Sequence, residues 1–126
     1  MEQMKKILLA EDDPFLVDLY THKLSVENFA VTSALNGQEA LEMIAADKPD
    51  LILLDIFMPV LNGWEVLEKV KSQEETKNIP VIMLSNVNEK KDIDRAMSLG
   101  ASDYLMKACF TPQEVLEVVK KFVGGK

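Results

Sequence analysis

The sequence predicts a doubly wound α/β fold, in which five parallel strands form one sheet with helices on both faces. Two observations lead to this prediction. Short, nearly continuous apolar runs recur at residues 7–10, 51–54, 81–84 and 104–106, as is typical of strands buried on both faces. Segments with helical periodicity separate these runs, and regular alternation of strand and helix favours a parallel sheet with right-handed crossovers.

The remaining strand is predicted at residues 29–34, where apolar and polar residues alternate before the segment turns polar. This pattern is typical of a strand at the edge of a sheet. We therefore expect three α/β/α layers and the flavodoxin-like strand order 2-1-3-4-5. The length of 126 residues suits one domain, which we expect to span residues 1–126.

Helix ends are marked by capping signals. Asn36 or Gly37 can cap the second helix, for which we expect Leu41, Ile44 and Ala45 to share one face. The last helix is predicted to begin with a capping box, Thr-Pro-Gln-Glu at residues 111–114, followed by an apolar stripe.

Charge and cysteine content limit the class of function. A net charge of −7 argues against direct binding of nucleic acid, because backbone phosphates would be repelled. The lone cysteine, Cys109, cannot form an internal disulfide, which indicates a reducing compartment. The sequence has neither a signal peptide nor a stretch for membrane insertion, so we expect a cytoplasmic protein.

Polar residues follow the apolar runs, where the strands of a parallel sheet present their carboxyl ends to one crevice. Taken singly, several have ordinary structural explanations: an acid before Pro14 can cap a helix, and Ser85 can simply end a strand. Asp55 is different, because a carboxylate directly after four buried aliphatic residues is costly unless something compensates its charge. The residues in question are Glu11, Asp12, Asp13, Asp55, Ser85, Asn86 and Lys107.

Several carboxylates at one edge need a cation, and oxygen ligands of this kind suit Mg²⁺. We expect Asp12 and Asp55 to be direct ligands, Glu11 to act through a water molecule, and the backbone carbonyl of Phe57 to supply a further oxygen. This arrangement can accept a phosphoryl group.

A phosphoryl donor entering this edge would find further partners in addition to the metal. Its oxygens can pair with the Lys107 ammonium and with the Ser85 hydroxyl or the backbone N–H of Asn86. Asp55 then remains as the nucleophile, and carboxylates do form aspartyl phosphates in other enzymes.

Four segments in this order resemble the receiver domains of two-component response regulators, a similarity that covers essentially the whole chain. Each motif is weak alone, but together they are highly specific. They are ILLAEDD at residues 7–13, LLDIFMP at 53–59 with Asn62-Gly63, PVIMLS at 80–85, and GASDYLMK at 100–107.

The resemblance implies a signalling protein rather than an enzyme with turnover. A sensor histidine kinase or a phosphotransfer protein would donate the phosphoryl group to Asp55, and the domain would assist its own phosphorylation and slow dephosphorylation. Ser85 and Tyr104 would form the switch, altering the face made by the fourth helix, fifth strand and fifth helix. The output would be contact with a downstream protein.

The chain departs from the family pattern at two positions. Ala108 stands where proline in a cis peptide usually follows the lysine. We expect a trans peptide here, because a cis bond before a non-proline residue costs about 2.5–4 kcal/mol. Asn86 replaces a small residue, and it can either crowd the phosphoryl site or add a hydrogen bond.

Three alternatives remain open at this point. Phosphatases of the haloacid dehalogenase kind also use an aspartate nucleophile, but they place an acid two residues later, where this chain has Phe57. A nucleotide carrier would need a phosphate-binding loop in place of Glu11-Asp12-Asp13. An interaction module that works without phosphorylation would bind its partner equally well with Asp55 replaced.

Overall fold

The computed structural model describes residues 4–86 and 89–124, in which five strands alternate with five helices. The strands are β1 (Lys6–Ala10), β2 (Ala30–Ala34), β3 (Leu51–Leu54), β4 (Val81–Ser85) and β5 (Asp103–Met106). The helices are α1 (Pro14–Val26), α2 (Gly37–Ala46), α3 (Gly63–Ser72), α4 (Lys90–Ser98) and α5 (Pro112–Val123). None of the helices in these residues is both long and apolar enough to cross a membrane.

All neighbouring strands pair in parallel, in the order β2-β1-β3-β4-β5. The predicted fold class and strand order are confirmed, with β2 at one edge. The strand starts differ slightly from the prediction: β2 begins at Ala30, and Phe29 lies just before it with 3% of its surface exposed.

Two apolar layers cover the sheet, because alternate side chains of each strand point to opposite faces. On one face, Leu8 and Ile52 pack with residues of α2, α3 and α4. On the other face, Ile7 and Leu53 pack with residues of α1 and α5.

The helix caps agree with the predicted signals. The Asn36 side chain accepts a hydrogen bond from the Glu39 N–H at 2.8 Å and so caps α2. The capping box that begins α5 at Thr111 is also present. The expected face of α2 was wrong at Ala45, which is exposed, whereas Ala40 is fully buried beside the sheet.

The loop after β3 is held close to the start of α3 by a glycine. The Gly63 N–H donates to the carbonyl of Ile56 at 2.7 Å. A Cβ at residue 63 would lie 2.8 Å from the Ile56 Cα and would also clash with the Asp55 carbonyl. Only glycine therefore allows α3 to approach the backbone of Asp55 so closely.

Val60, in the same loop, has a backbone conformation that is unfavourable for its residue type. Its φ is +71°, and 73% of its surface is exposed. A β-branched side chain is strained in this left-handed region, whereas Asn28, the other non-glycine residue with positive φ among those described, tolerates it. Val60 thus gains little from burial to offset its strain.

Replacing this valine should stabilise the protein. Because asparagine tolerates a positive φ, we expect Val60→Asn to raise the free energy of unfolding by about 1 kcal/mol. Urea denaturation of both proteins measures the difference. Val60→Ala is the control and should gain less, since it keeps a Cβ without asparagine's local hydrogen bonds. A Val60→Asn protein less stable than the parent would contradict the assignment of strain to this residue.

Candidate functional site

The main chain itself places the acids at the carboxyl edge of the sheet. The Glu11 N–H donates to the carbonyl of Ala34 at 3.0 Å, and the Asp55 N–H donates to the carbonyl of Ala10 at 3.0 Å. Both bonds continue the pairing of the strands by one residue beyond β1 and β3. The two carboxylates are therefore held on the rigid sheet rather than on flexible loops.

Three of the predicted metal ligands lie together. Glu11, Asp12 and Asp55 each offer a carboxylate oxygen, and these oxygens lie within 4.8 Å of one another. Glu11 is 1% exposed and Asp55 is 6% exposed, whereas Asp12 is on the surface. Asp13 has a structural role instead, because its side chain caps α1 through the Phe15 N–H at 3.0 Å.

The Lys107 side chain reaches into this group of acids from the end of β5. Its Nζ lies 2.5 Å from Glu11 Oε1 and 3.3 Å from Asp55 Oδ2, and the side chain is 13% exposed. Burial lowers the pKa of Lys107, but the hydrogen bond to Glu11 and the charge of Asp55 outweigh it, so the pKa is raised overall. Lys107 is therefore a fixed positive charge at neutral pH.

The pKa of Asp55 is raised from 3.8 to about 6. Burial is the main cause and the charge of Glu11 adds to it, while Lys107 opposes the shift without cancelling it. Asp55 is thus still mostly ionised at neutral pH, but Lys107 balances only part of the negative charge around it.

The charges and donor atoms fit a divalent cation. Three carboxylates face one ammonium, which leaves an excess of two negative charges in a small, largely buried volume. Every candidate ligand is an oxygen, as Mg²⁺ prefers. Phe57 follows Asp55 by two residues in the loop, and 66% of its surface is exposed.

Ser85 and Tyr104, the predicted switch pair, share a side-chain hydrogen bond. Ser85 ends β4 and is 1% exposed, whereas Tyr104 on the edge strand β5 is partly buried. Burial raises the pKa of Tyr104, and the hydrogen bond with Ser85 opposes this rise. The two side chains are therefore already in contact beside Asp55.

The two departures from the family pattern meet in the structure. The side-chain carbonyl of Asn86 accepts a hydrogen bond from the Ala108 N–H at 3.0 Å. Asn86 is exposed, and in this structure its side-chain oxygen bonds to the loop after β5. Its effect on an entering phosphoryl group, crowding or an added hydrogen bond, stays a prediction. No cis peptide occurs among the described residues, and the trans bond expected before Ala108 is confirmed.

Sequence reasoning missed the partnership of Asn86 and Ala108 because the residues lie 22 positions apart and each has an ordinary side chain. It also missed Tyr20, which is 3% exposed and close enough for Lys107 and Glu11 to influence its pKa. The only available signal for Tyr20 was its four-residue spacing from Leu24, which marks the buried face of α1.

Comparison with known proteins identifies the family. Residues 7–120 match the family described as the response regulator receiver domain. The chain belongs to this family.

The similarity extends to sequence and structure. The chain is 38% identical over 116 residues to the alkaline phosphatase synthesis transcriptional regulatory protein PhoP of Bacillus subtilis, covering 92% of this chain but 47% of that protein. It thus spans about half of that relative's length. The structure is also similar to a putative response regulator from Chloroflexus aurantiacus, with a TM-score of 0.89, 28% identity and coverage of 97% of this chain and 99% of the other.

A second similar structure is the chemotaxis protein CheY4 of Vibrio cholerae, with a TM-score of 0.88 and 28% identity. The likeness covers 95% of this chain and 99% of that one. The family match confirms the predicted resemblance, and the strand order seen in the structure agrees with its likeness to CheY4.

The raised pKa of Asp55 predicts a pH-dependent cost in metal-free protein. The folded-state pKa of about 6 exceeds the unfolded value of 3.8, so the folded protein binds the extra proton between these values and loses stability as pH rises through them. In EDTA, Asp55→Asn should therefore raise the free energy of unfolding by about 3 kcal/mol at pH 8 and by less than about 1 kcal/mol near pH 4. Thermal or urea denaturation at both pH values measures this.

Asp18→Asn is the matched control for this experiment, because Asp18 is an exposed carboxylate on α1. It should change stability little at either pH. An equal gain from Asp55→Asn at pH 4 and pH 8 would show that ionisation of Asp55 is not the cause.

Proposed function

We propose that this chain is a phosphoacceptor in a two-component phosphorelay and that Asp55 receives the phosphoryl group. The observation that carries the proposal is a buried carboxylate held on the sheet, 3.3 Å from the Lys107 ammonium and beside two further acids, in a chain of the receiver family. Its pKa of about 6 leaves it ionised, and so nucleophilic, at neutral pH.

The reaction we propose is transfer from a phosphohistidine of a sensor histidine kinase or phosphotransfer protein. An Asp55 carboxylate oxygen bonds to phosphorus as the P–N bond breaks, and the electron pair of that bond returns to the imidazole. The product is an acyl phosphate on Asp55. Lys107 pairs with one phosphoryl oxygen, and the Ser85 hydroxyl and the backbone N–H of Asn86 donate to others.

Mg²⁺ is the cofactor we propose, held by Asp12, Asp55 and the backbone carbonyl of Phe57, with Glu11 acting through a water molecule. When bound, it would neutralise charge on the acids and on the entering phosphoryl group. The excess negative charge among these acids supports this assignment. The domain then assists its own phosphorylation and the slow hydrolysis of the acyl phosphate on Asp55, without turnover of a separate substrate.

The alternative functions are less well supported. The position two residues after Asp55 carries Phe57, so a phosphatase of the haloacid dehalogenase kind would lack its general acid. A nucleotide carrier is disfavoured by the acids after β1 and by the family. A module that works without phosphorylation differs from our proposal in one respect: it would bind its partner equally well with Asp55 replaced.

The wider setting is part of the same proposal. We place residues 1–126 in the cytoplasm as one receiver domain, on the basis of the lone cysteine and the family. We expect its output to be a protein contact through α4, β5 and α5. The net charge of −7 supports a receiver that does not itself bind nucleic acid.

Incubation with acetyl phosphate and Mg²⁺ tests the phosphoacceptor assignment. The intact mass should increase by one phosphoryl group in the parent and stay unchanged in Asp55→Asn. Lys107→Ala should slow phosphorylation by about 10²-fold, because one electrostatic partner of the transferring group is lost. A mass increase that persists in Asp55→Asn would overturn the proposal.

We further propose that Ser85 and Tyr104 couple phosphorylation to the partner-binding face. Their existing hydrogen bond supports this, because a Ser85 hydroxyl that turns toward a phosphoryl oxygen must weaken its contact with Tyr104. The ring of Tyr104 would then repack against the face that includes β5. Phosphorylation would shift the balance between two packings through contacts that differ between them.

Ring resonances of the two tyrosines can test this switch. Addition of beryllofluoride with Mg²⁺ should shift the Tyr104 ring signals in the parent, and Ser85→Ala should lose most of that shift. Tyr20 is an internal control: it senses the charge of the site rather than the hydroxyl, so its signals should change equally in both proteins. An undiminished Tyr104 shift in Ser85→Ala would contradict the switch.

A further inference from the structure

Asn86 connects two loops that border Asp55. It follows β4, and its side-chain carbonyl accepts the N–H of Ala108, which follows Lys107 beyond β5. The distance is 3.0 Å, and the bond is exposed. An exposed amide can bond to water instead, so the link adds little to stability. Its main effect is on geometry.

The backbone of Lys107 is fixed from both sides by this arrangement. The Lys107 N–H donates to the carbonyl of Ser85 at 3.0 Å, and the next N–H, that of Ala108, donates to Asn86. Two successive amides around Lys107 are thus bonded to two successive residues at the end of β4. The following N–H, that of Cys109, closes the turn on Met106 at 3.0 Å.

The position of this backbone matters because the Lys107 side chain is paired with acids of the site. Its Nζ lies 3.3 Å from Asp55 Oδ2 and is also paired with Glu11. A small rotation of the peptide after Lys107 would move the ammonium relative to a group on Asp55. Misplacement of a reacting group by about 1 Å can cost on the order of 10²-fold in rate.

We propose that the Asn86 side chain is a positioning residue for Lys107, acting through the Ala108 N–H. The inference rests on the proposed function, since it concerns the rate at which Asp55 accepts a phosphoryl group. On this proposal Asn86 would contribute twice to the site: its backbone N–H would donate to the phosphoryl group, and its side chain would orient the lysine that pairs with the same group.

The link itself is tested by amide hydrogen exchange. In Asn86→Ala, exchange at the Ala108 N–H should accelerate at least tenfold, while the Lys107 N–H, bonded to Ser85, keeps its protection. Unchanged exchange at Ala108 would overturn the proposal at its first step. A thermal melt of the same protein should lie close to that of the parent.

The functional step is tested with acetyl phosphate and Mg²⁺, by following the intact mass over time. Asn86→Ala should lower the rate constant for phosphorylation of Asp55 by three- to tenfold. Its dissociation constant for Mg²⁺ should change less than twofold, because the carboxylates proposed to bind the metal follow β1 and β3, not β4 or β5. Gln113→Ala, which removes an exposed amide side chain on α5, is the control and should match the parent.

Two double variants show whether the effect passes through the proposed route. Ala108→Pro removes the N–H, so adding Asn86→Ala to it should change the rate by less than 1.5-fold. In a Lys107→Ala background, which does not depend on how proline fits the loop, Asn86→Ala should also have no further effect. A full three- to tenfold loss in the Lys107→Ala background would overturn the positioning role.

Failure of this inference can be told apart from failure of the proposed function. If the parent is never phosphorylated on Asp55, both the proposed phosphoacceptor function and the positioning role are overturned. If the parent is phosphorylated and Asn86→Ala reacts at the same rate, only the positioning role is overturned.

Discussion

The repulsion among the Glu11, Asp12 and Asp55 carboxylates is the constraint on which the rest of the site depends. Two of these groups are almost completely buried, and one lysine is too little to balance them. The fold accepts this cost because main-chain bonds at the ends of β1 and β3 keep the acids in place. The same under-compensated charge makes the site suited to a divalent metal.

The single positive charge of Lys107 cannot pair fully with both Glu11 and a phosphoryl group on Asp55. In the structure it is paired more closely with Glu11 than with Asp55, at 2.5 Å against 3.3 Å. A phosphoryl group on Asp55 would compete with Glu11 for the ammonium. A metal that takes over the charge of Glu11 would release the lysine for this task, so metal binding and phosphoryl binding would favour each other.

Most of the fold could be predicted from the sequence because local patterns determine it. Residues 51–54 are four consecutive aliphatic residues, and β3 has those same bounds. The Thr111 capping box marked the start of α5 equally well, since a cap depends on neighbours within one turn. Ala45 was assigned to the wrong face because a small residue carries little hydrophobic signal in a helix of ten residues.

The sequence predicted which residues lie at the site, but it did not predict which of them contact each other. Strand ends place Glu11, Asp55 and Lys107 at one edge, and the order of strands follows from the alternation of elements. The pairing of Glu11 with Lys107, and of Asn86 with Ala108, depends on side-chain rotations in loops far apart in the chain. No spacing rule reports such contacts, nor did any signal predict the positive φ of Val60.

The main-chain anchoring of the site has a consequence for how sequences of this fold can diverge. Glu11, Asp55 and Lys107 are held to the sheet by their own N–H groups, which every residue type except proline possesses. Apart from Asn86, for which we propose a positioning role, side chains around the edge can therefore be exchanged widely without displacing these peptide units. Among single substitutions at these three positions, proline alone would remove the anchor together with the functional group.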